Sequence, residues 1–214
     1  MSGDAIDRLV AEASRGDYSS MVRLARALYQ AGLGRREVLR RCYGVDFPEE
    51  LFVIYEAWPT SPRLLVSYTN QPWELLVTPD QGDPAAKPDL LDGVERRIFA
   101  RDPDLVPLGL LLADGGRWLG MVVCYRLSEL AAGRSTVFGI LEEFGPADGA
   151  VRCGDSLLTV LHDHHVDAHR RLQERYLLPS NFGAGAVDLE EVAAVGSLVE
   201  RIEELQTRVA TGAP

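Results

Sequence analysis

The sequence predicts an α+β fold: a mainly antiparallel sheet flanked by helices, with helical N- and C-terminal extensions. Three observations carry this. Apolar residues recur every three or four positions toward both ends of the chain, five strand-like runs follow one another between residues 63 and 144, and one junction, "ADGGRW", has the chemistry of a tight hairpin. At 214 residues, 46% of them hydrophobic and 25% charged, the chain has the balance of a globular protein with a substantial core.

The first helical stretch runs from Ala5 to about Tyr43, where Ile6, Leu9, Val10, Met21, Leu24, Ala25, Leu28, Tyr29, Val38 and Leu39 keep helical spacing. The breaks "RGDYSS" and "AGLG" divide it into three short helices, with Asp17 or Ser19 as an N-cap and Gly32 or Gly34 as C-terminal stops. Residues 1–40 are therefore read as an N-terminal helical extension, 41–178 as an α+β core domain, and 179–214 as a C-terminal loop and helix. In "YGVDFPEELFVIYEAWP", Gly44 makes a turn, Asp46 can cap, and Pro48 suits a first helical turn. Glu49 and Glu50 then lie at the positive end of the helix dipole, and the helix runs to Trp58, where Pro59 stops it. Its apolar positions Leu51, Phe52, Ile54, Tyr55 and Trp58 cover more than half of its circumference, so it is expected to be largely buried.

The strand-like runs are "RLLVSYTN" (63–70), "WELLVTP" (73–79), "LVPLGLLLAD" (105–114), "RWLGMVVCYRL" (117–127) and "TVFGILEEF" (136–144). Asp114, Gly115 and Gly116 can take the positive φ of a tight turn, which pairs 105–113 with 117–127 at the antiparallel centre of the sheet. A short helix is expected over 92–102, a long one over 155–178, and a final amphipathic one over 188–210.

The formal charge of −10 argues against a nucleic-acid backbone as ligand, because phosphate contacts need a basic surface. It suits a basic partner. Cys42, Cys124 and Cys153 are far apart and include no CxxC pair, which fits reduced thiols and no structural zinc. The first residues are too acidic for a signal peptide and no apolar run is long enough to span a bilayer, so a cytoplasmic location without membrane contact is expected.

All four histidines lie in "LHDHHVDAHRR", residues 161–171, with Asp163 and Asp167 between them. On a helix, Leu157, Leu161, Ala168 and Leu172 form an apolar stripe, with Leu158 and Tyr176 along one edge. His165 falls inside that edge, His162 and His169 just beyond it, and His164 on the other border, while the two aspartates project to nearly the opposite side. His165 and His169 are spaced to share a metal ion, with His162 one turn earlier, but Val166 stands where an HExxH motif would put its glutamate. The favoured reading is a partly exposed polar flank with one histidine hydrogen-bonded at the core edge. Asp114-Gly115-Gly116 has no phosphate-loop context, Ser128 and Ser135 have no nucleophile elbow, and Cys124, Trp58, Trp73 and Trp118 read as core. No catalytic constellation and no cofactor motif emerges, and the chain is read as a non-enzyme.

The order of elements over 36–175 resembles the SUKH superfamily, also called SMI1/KNR4-like. The residues that carry the likeness are "VLRRCYGVDFPEELFVIYEAW", with its Pro-x-x-hydrophobic helix, then the strand pair "LVPLGLLLADGGRWLGMVVCYRL", the strand "STVFGI" and the closing helix "SLLTVLHDHHVDAHRRLQE". "WPTSP" replaces the Asn-Gly usual after the Pro-x-x-hydrophobic helix. The resemblance implies a non-enzymatic α+β scaffold, most often a bacterial immunity protein that binds and neutralises a toxin, commonly a nuclease. An acidic inhibitor is steered to the cationic cleft of a nuclease, so the expected contacts are acidic: Glu49, Glu50, Glu56, Asp80, Asp83, Glu142 and Glu143. Two other readings stay open: a metal-binding protein or metal-dependent enzyme using His162, His165 and His169, and an assembly subunit that oligomerises through its terminal helices.

Overall fold

Helix ends are set by short polar side chains and by glycines that accept a left-handed backbone. The computed structural model describes residues 3–57, 65–82, 84, 91–112, 120–143, 149–178, 181 and 186–212. Its first helices are α1 (Gly3–Glu12), α2 (Tyr18–Gln30), α3 (Arg35–Tyr43) and α4 (Glu49–Ala57). The Asp17 carboxylate caps α2 by accepting from the Ser19 amide at 3.1 Å, and Gly44, at φ 77°, ends α3 in the αL conformation. At the other end, Ser156 caps α7 (Leu157–Leu177) and Asp188 caps α8 (Leu189–Thr211).

Between them lie β1 (Val66–Tyr68), α5 (Asp92–Arg101), β2 (Leu105–Leu111), β3 (Met121–Arg126), α6 (Leu127–Ala131), β4 (Val137–Leu141) and β5 (Val151–Gly154). The strands form one antiparallel meander in chain order. Its centre is the expected β2–β3 pair, with Leu105 opposite Arg126 and Leu110 opposite Val122. The Asp114–Gly116 turn itself lies outside the described residues, as do Trp58 and Trp118.

Three segments differ from expectation. Residues 73–79 do not form a strand: Trp73–Leu76 is a single 3₁₀ turn. Pro72, at φ −87° and ψ −1°, starts it in helical geometry, and the Trp73 indole N–H is satisfied by the Leu108 carbonyl at 2.6 Å. Adjacent Leu75 and Leu76 are both buried, a spacing that a helical turn allows and a half-buried strand does not. The edge strand β5 escapes pattern reading because "VRCG" is short and exposes Val151 and Arg152. Helix α6 escapes it because its start is held from outside its own sequence: Asp104 accepts the Ser128 amide at 2.9 Å and the Ser128 hydroxyl at 2.6 Å.

The sheet is covered on both faces, which is why β2 is buried along its whole length. Val106, Leu108, Val123, Tyr125 and Val137 pack into the larger core with residues of α2, α3, α4, α7 and α8. Leu105, Leu110, Val122, Cys124 and Ile140 pack against Leu91 and against Val94 and Ile98 of α5. The helical extensions at both ends are built into the larger core, where Met21, Leu24 and Leu28 of α2 and Leu198, Ile202 and Leu205 of α8 are buried. Among the described residues no helix is long and apolar enough to cross a membrane.

β1 approaches β2 closely only because residue 109 is glycine. A Cβ there would stand 2.6 Å from Val66 Cγ1 and 3.3 Å from the Ser67 carbonyl oxygen. Valine is stiff at χ1 and backbone cannot yield, so Gly109→Ala is expected to cost about 2 kcal/mol, read as a lower urea midpoint at unchanged m-value.

Candidate functional site

Glu50 does not face a partner. It is 5% exposed, and its carboxylate accepts four hydrogen bonds from two other elements. Oε1 takes the Tyr125 hydroxyl of β3 at 2.6 Å and the Leu157 amide at 2.8 Å; Oε2 takes the Ser156 hydroxyl at 2.6 Å and the Leu158 amide at 3.2 Å. The amides are the first two of α7, so a buried anion sits where the helix dipole is positive and orphan donors need acceptors. α4, β3 and α7 are thereby joined at one carboxylate. This corrects the placing of Glu50 among the surface contacts: every acceptor direction it has is used inside the protein.

The other acidic candidates fall on two separate surfaces. Glu49 and Glu56 lie two turns apart on α4, half-exposed, and pair with Arg36 of α3 and with Arg208 of α8, the latter at 3.5 Å. Glu56 also lines a cleft of about 380 Å³ with Tyr55, Glu74, Trp73 and Arg35. Exposed Asp80 lies close enough to Tyr55 to oppose its ionisation, and hydrogen bonds from the Thr78 hydroxyl and from its own amide lower its pKa, so it stays charged. Glu142 and Glu143 are remote from this group. They follow β4, where Arg97 of α5 donates to the Glu142 carbonyl at 3.2 Å, and α5 covers the sheet face opposite α4. Asp83 lies outside the described residues.

The histidines divide by destination. His164 and His165 are both 0% exposed, where the sequence suggested a border position for the first and an edge for the second. The Leu65 amide donates to His165 Nε2 at 3.0 Å, so Nδ1 carries the proton, which it gives to the Leu161 carbonyl at 2.6 Å. His164 donates from Nε2 to the Leu112 carbonyl at 2.6 Å. Since the Leu112 amide donates to the Leu65 carbonyl at 2.9 Å, the two imidazoles continue the β1–β2 ladder one pair beyond its last strand residues. Burial depresses both pKa values, that of His165 to about 4.

His162 and His169 instead border α8. His162 Nε2 is 3.3 Å from a Glu203 oxygen, and α8 runs past the His169 ring at Gly196, where a Cβ would meet it at 3.2 Å. The His162–His165–His169 ridge is thus dispersed, because both ring nitrogens of its middle member are spent on backbone groups. Among the described residues no three His, Cys, Asp or Glu side chains are grouped to hold a metal ion.

Signals for these placements were present in the spacing. His164 lies seven residues after Leu157 and four before Ala168, on the line of the buried stripe, and Glu50 shares a face with Ile54 and Ala57. Among the described residues neither serine considered as a nucleophile is hydrogen-bonded to a histidine. The Ser128 hydroxyl binds Asp104 and the Ser135 hydroxyl binds the Asp155 carbonyl, while every histidine of the chain is on α7. Burial raises the Cys42 thiol to about 12 and raises Cys124 as well, which keeps both in the unreactive protonated form. No protein-family model, curated protein or solved structure matches the chain.

Proposed function

We propose that this chain is a non-enzymatic, cytoplasmic protein-binding module of SUKH type, a bacterial immunity protein that neutralises a basic, nuclease-type toxin. The observation that carries the reading is the acidic, aromatic-walled surface on α4. Glu49 and Glu56 stand half-exposed on one face of α4, in pairs with Arg36 and Arg208 that a cationic partner would exchange, with Glu74, Tyr55 and Arg35 lining the adjoining cleft and Asp80 close to Tyr55. Carboxylates beside an aromatic ring suit arginine and lysine side chains, and a net charge of −10 steers a cationic partner toward them. The likeness of the Pro48 helix, central hairpin and closing helix to the SUKH pattern supports the same reading independently of charge.

The test is binding to basic nuclease toxins encoded beside this gene, followed at low and at physiological salt. Glu49→Lys with Glu56→Lys is expected to weaken association about tenfold or more, chiefly through the association rate, and Glu142→Lys with Glu143→Lys to do less. Failure to bind any such toxin at low salt overturns the proposal.

A further inference from the structure

We infer that the cleft between the α1–α2 connection and α5 binds a tetrahedral oxyanion, a phosphate group free or as a monoester. It has a volume of about 430 Å³ and is lined by Ser14, Arg15, Arg96, Phe99 and Pro103 among others. Among the described residues its lining contains two arginines and no carboxylate. The cleft beside α4 contains Glu56 and Glu74, and a third, between the α3–α4 turn and α6, contains Asp46. In a chain of charge −10, two guanidinium groups meeting at one cavity run against the mean field.

Arg15 is held in place. One guanidinium nitrogen, Nη2, donates to the Pro103 carbonyl, and the group lies 5.8 Å from the Phe99 ring centre. The other, Nη1, is buried and has no acceptor. A guanidinium with one arm closed off from solvent and without an acceptor keeps its charge uncompensated by the protein, and an anion in the cleft that Arg15 lines is favoured by that charge. Arg96 reaches the same cleft from α5. It is 62% exposed and tethered one turn back by Asp92 at 2.5 Å, so it can contribute charge without being trapped. Ser14 adds a hydroxyl. Glu95, the buried carboxylate of α5, is engaged by the Asn70 amide at 2.6 Å and by its side chain at 2.7 Å, and is absent from the lining. Donors from two chain segments around one cavity match an ion with oxygens in several directions better than a planar carboxylate does.

The experiment is a two-dimensional amide NMR titration of the full, isotope-labelled chain with inorganic phosphate, with acetate and chloride at matched ionic strength as separate arms. Saturable shifts at Ser14–Gly16 and Arg96–Ala100 are expected with phosphate alone. Arg96→Gln should weaken binding about tenfold, the worth of one charge-assisted bond. Arg97→Gln, which removes the same charge from the same helix but does not line the cleft, should leave it unchanged. No saturable response to phosphate, an equal response to acetate or chloride, or equal weakening by both variants overturns the inference.

Discussion

Glu50→Gln is expected to lower the unfolding free energy by about 3 kcal/mol, and Glu50→Ala by about 4 kcal/mol, although the position reads from sequence as a surface acid. The reason is the pairing of donors at each oxygen. Oε1 receives a hydroxyl and a backbone N–H, and so does Oε2. A glutamine keeps one acceptor and turns an NH₂ toward the other pair. The tyrosine or serine hydroxyl can rotate to accept from it, but the Leu157 or Leu158 amide cannot, so two donors face each other in a buried site. The variant also removes negative charge from the start of a 21-residue helix. Glu49→Gln is the control, since it removes the same charge one residue away on the exposed face, where a pair with Arg36 is worth less than about 1 kcal/mol. Urea unfolding followed by circular dichroism separates the two. Similar losses for Glu49→Gln and Glu50→Gln would show that the buried carboxylate does not hold α4 and α7 together.

The same contrast shows what could be read from one dimension. Periodicity located α2, α3, α5, α7 and α8 because each presents a stripe of apolar residues to the core, and glycine-bearing turn chemistry located the β2–β3 pair. It could not decide where a polar residue on a buried stripe would find its partner. His164 and His165 depend on backbone groups of Leu112 and Leu65, about 50 and 100 residues away, and Glu50 on Leu157 and Leu158, more than 100 residues on. Spacing says only that such a side chain turns inward. Whether it is an acid at an interface, a metal ligand or a structural bond depends on long-range topology. The terminal helices fit both an extension and an assembly reading for a similar reason: an amphipathic helix carries the same pattern whether its apolar face meets its own core or another chain.

The native state should lose about 3 kcal/mol between pH 6.5 and pH 4 through His165 alone. In the folded protein its pKa lies near 4, held down first by burial and then by His164 and His162 nearby, against an ordinary value of 6.5. Above 6.5 the ring is neutral folded and unfolded, and its contribution is fully present. As pH falls through this window the unfolded chain takes up a proton that the native ring refuses, and below 4 this group adds no further slope. His164, whose pKa is also lowered by burial, acts in the same direction. Glu129 is distinguishable because its pKa, lowered to about 2 by Arg134 and Thr136, places its loss between the ordinary carboxylate value of 4.5 and about 2, beneath most of the histidine window. His165→Gln is the informative variant, since an amide can accept from Leu65 and donate to Leu161 without titrating. Its stability should fall less steeply across the window, by up to about 1.4 kcal/mol per pH unit, and an unchanged slope would remove His165 as the cause. Hydrogen exchange at Leu65 gives a local check: base-catalysed exchange slows as pH falls, so loss of protection there on acidification reports the imidazole leaving the end of the β1–β2 ladder.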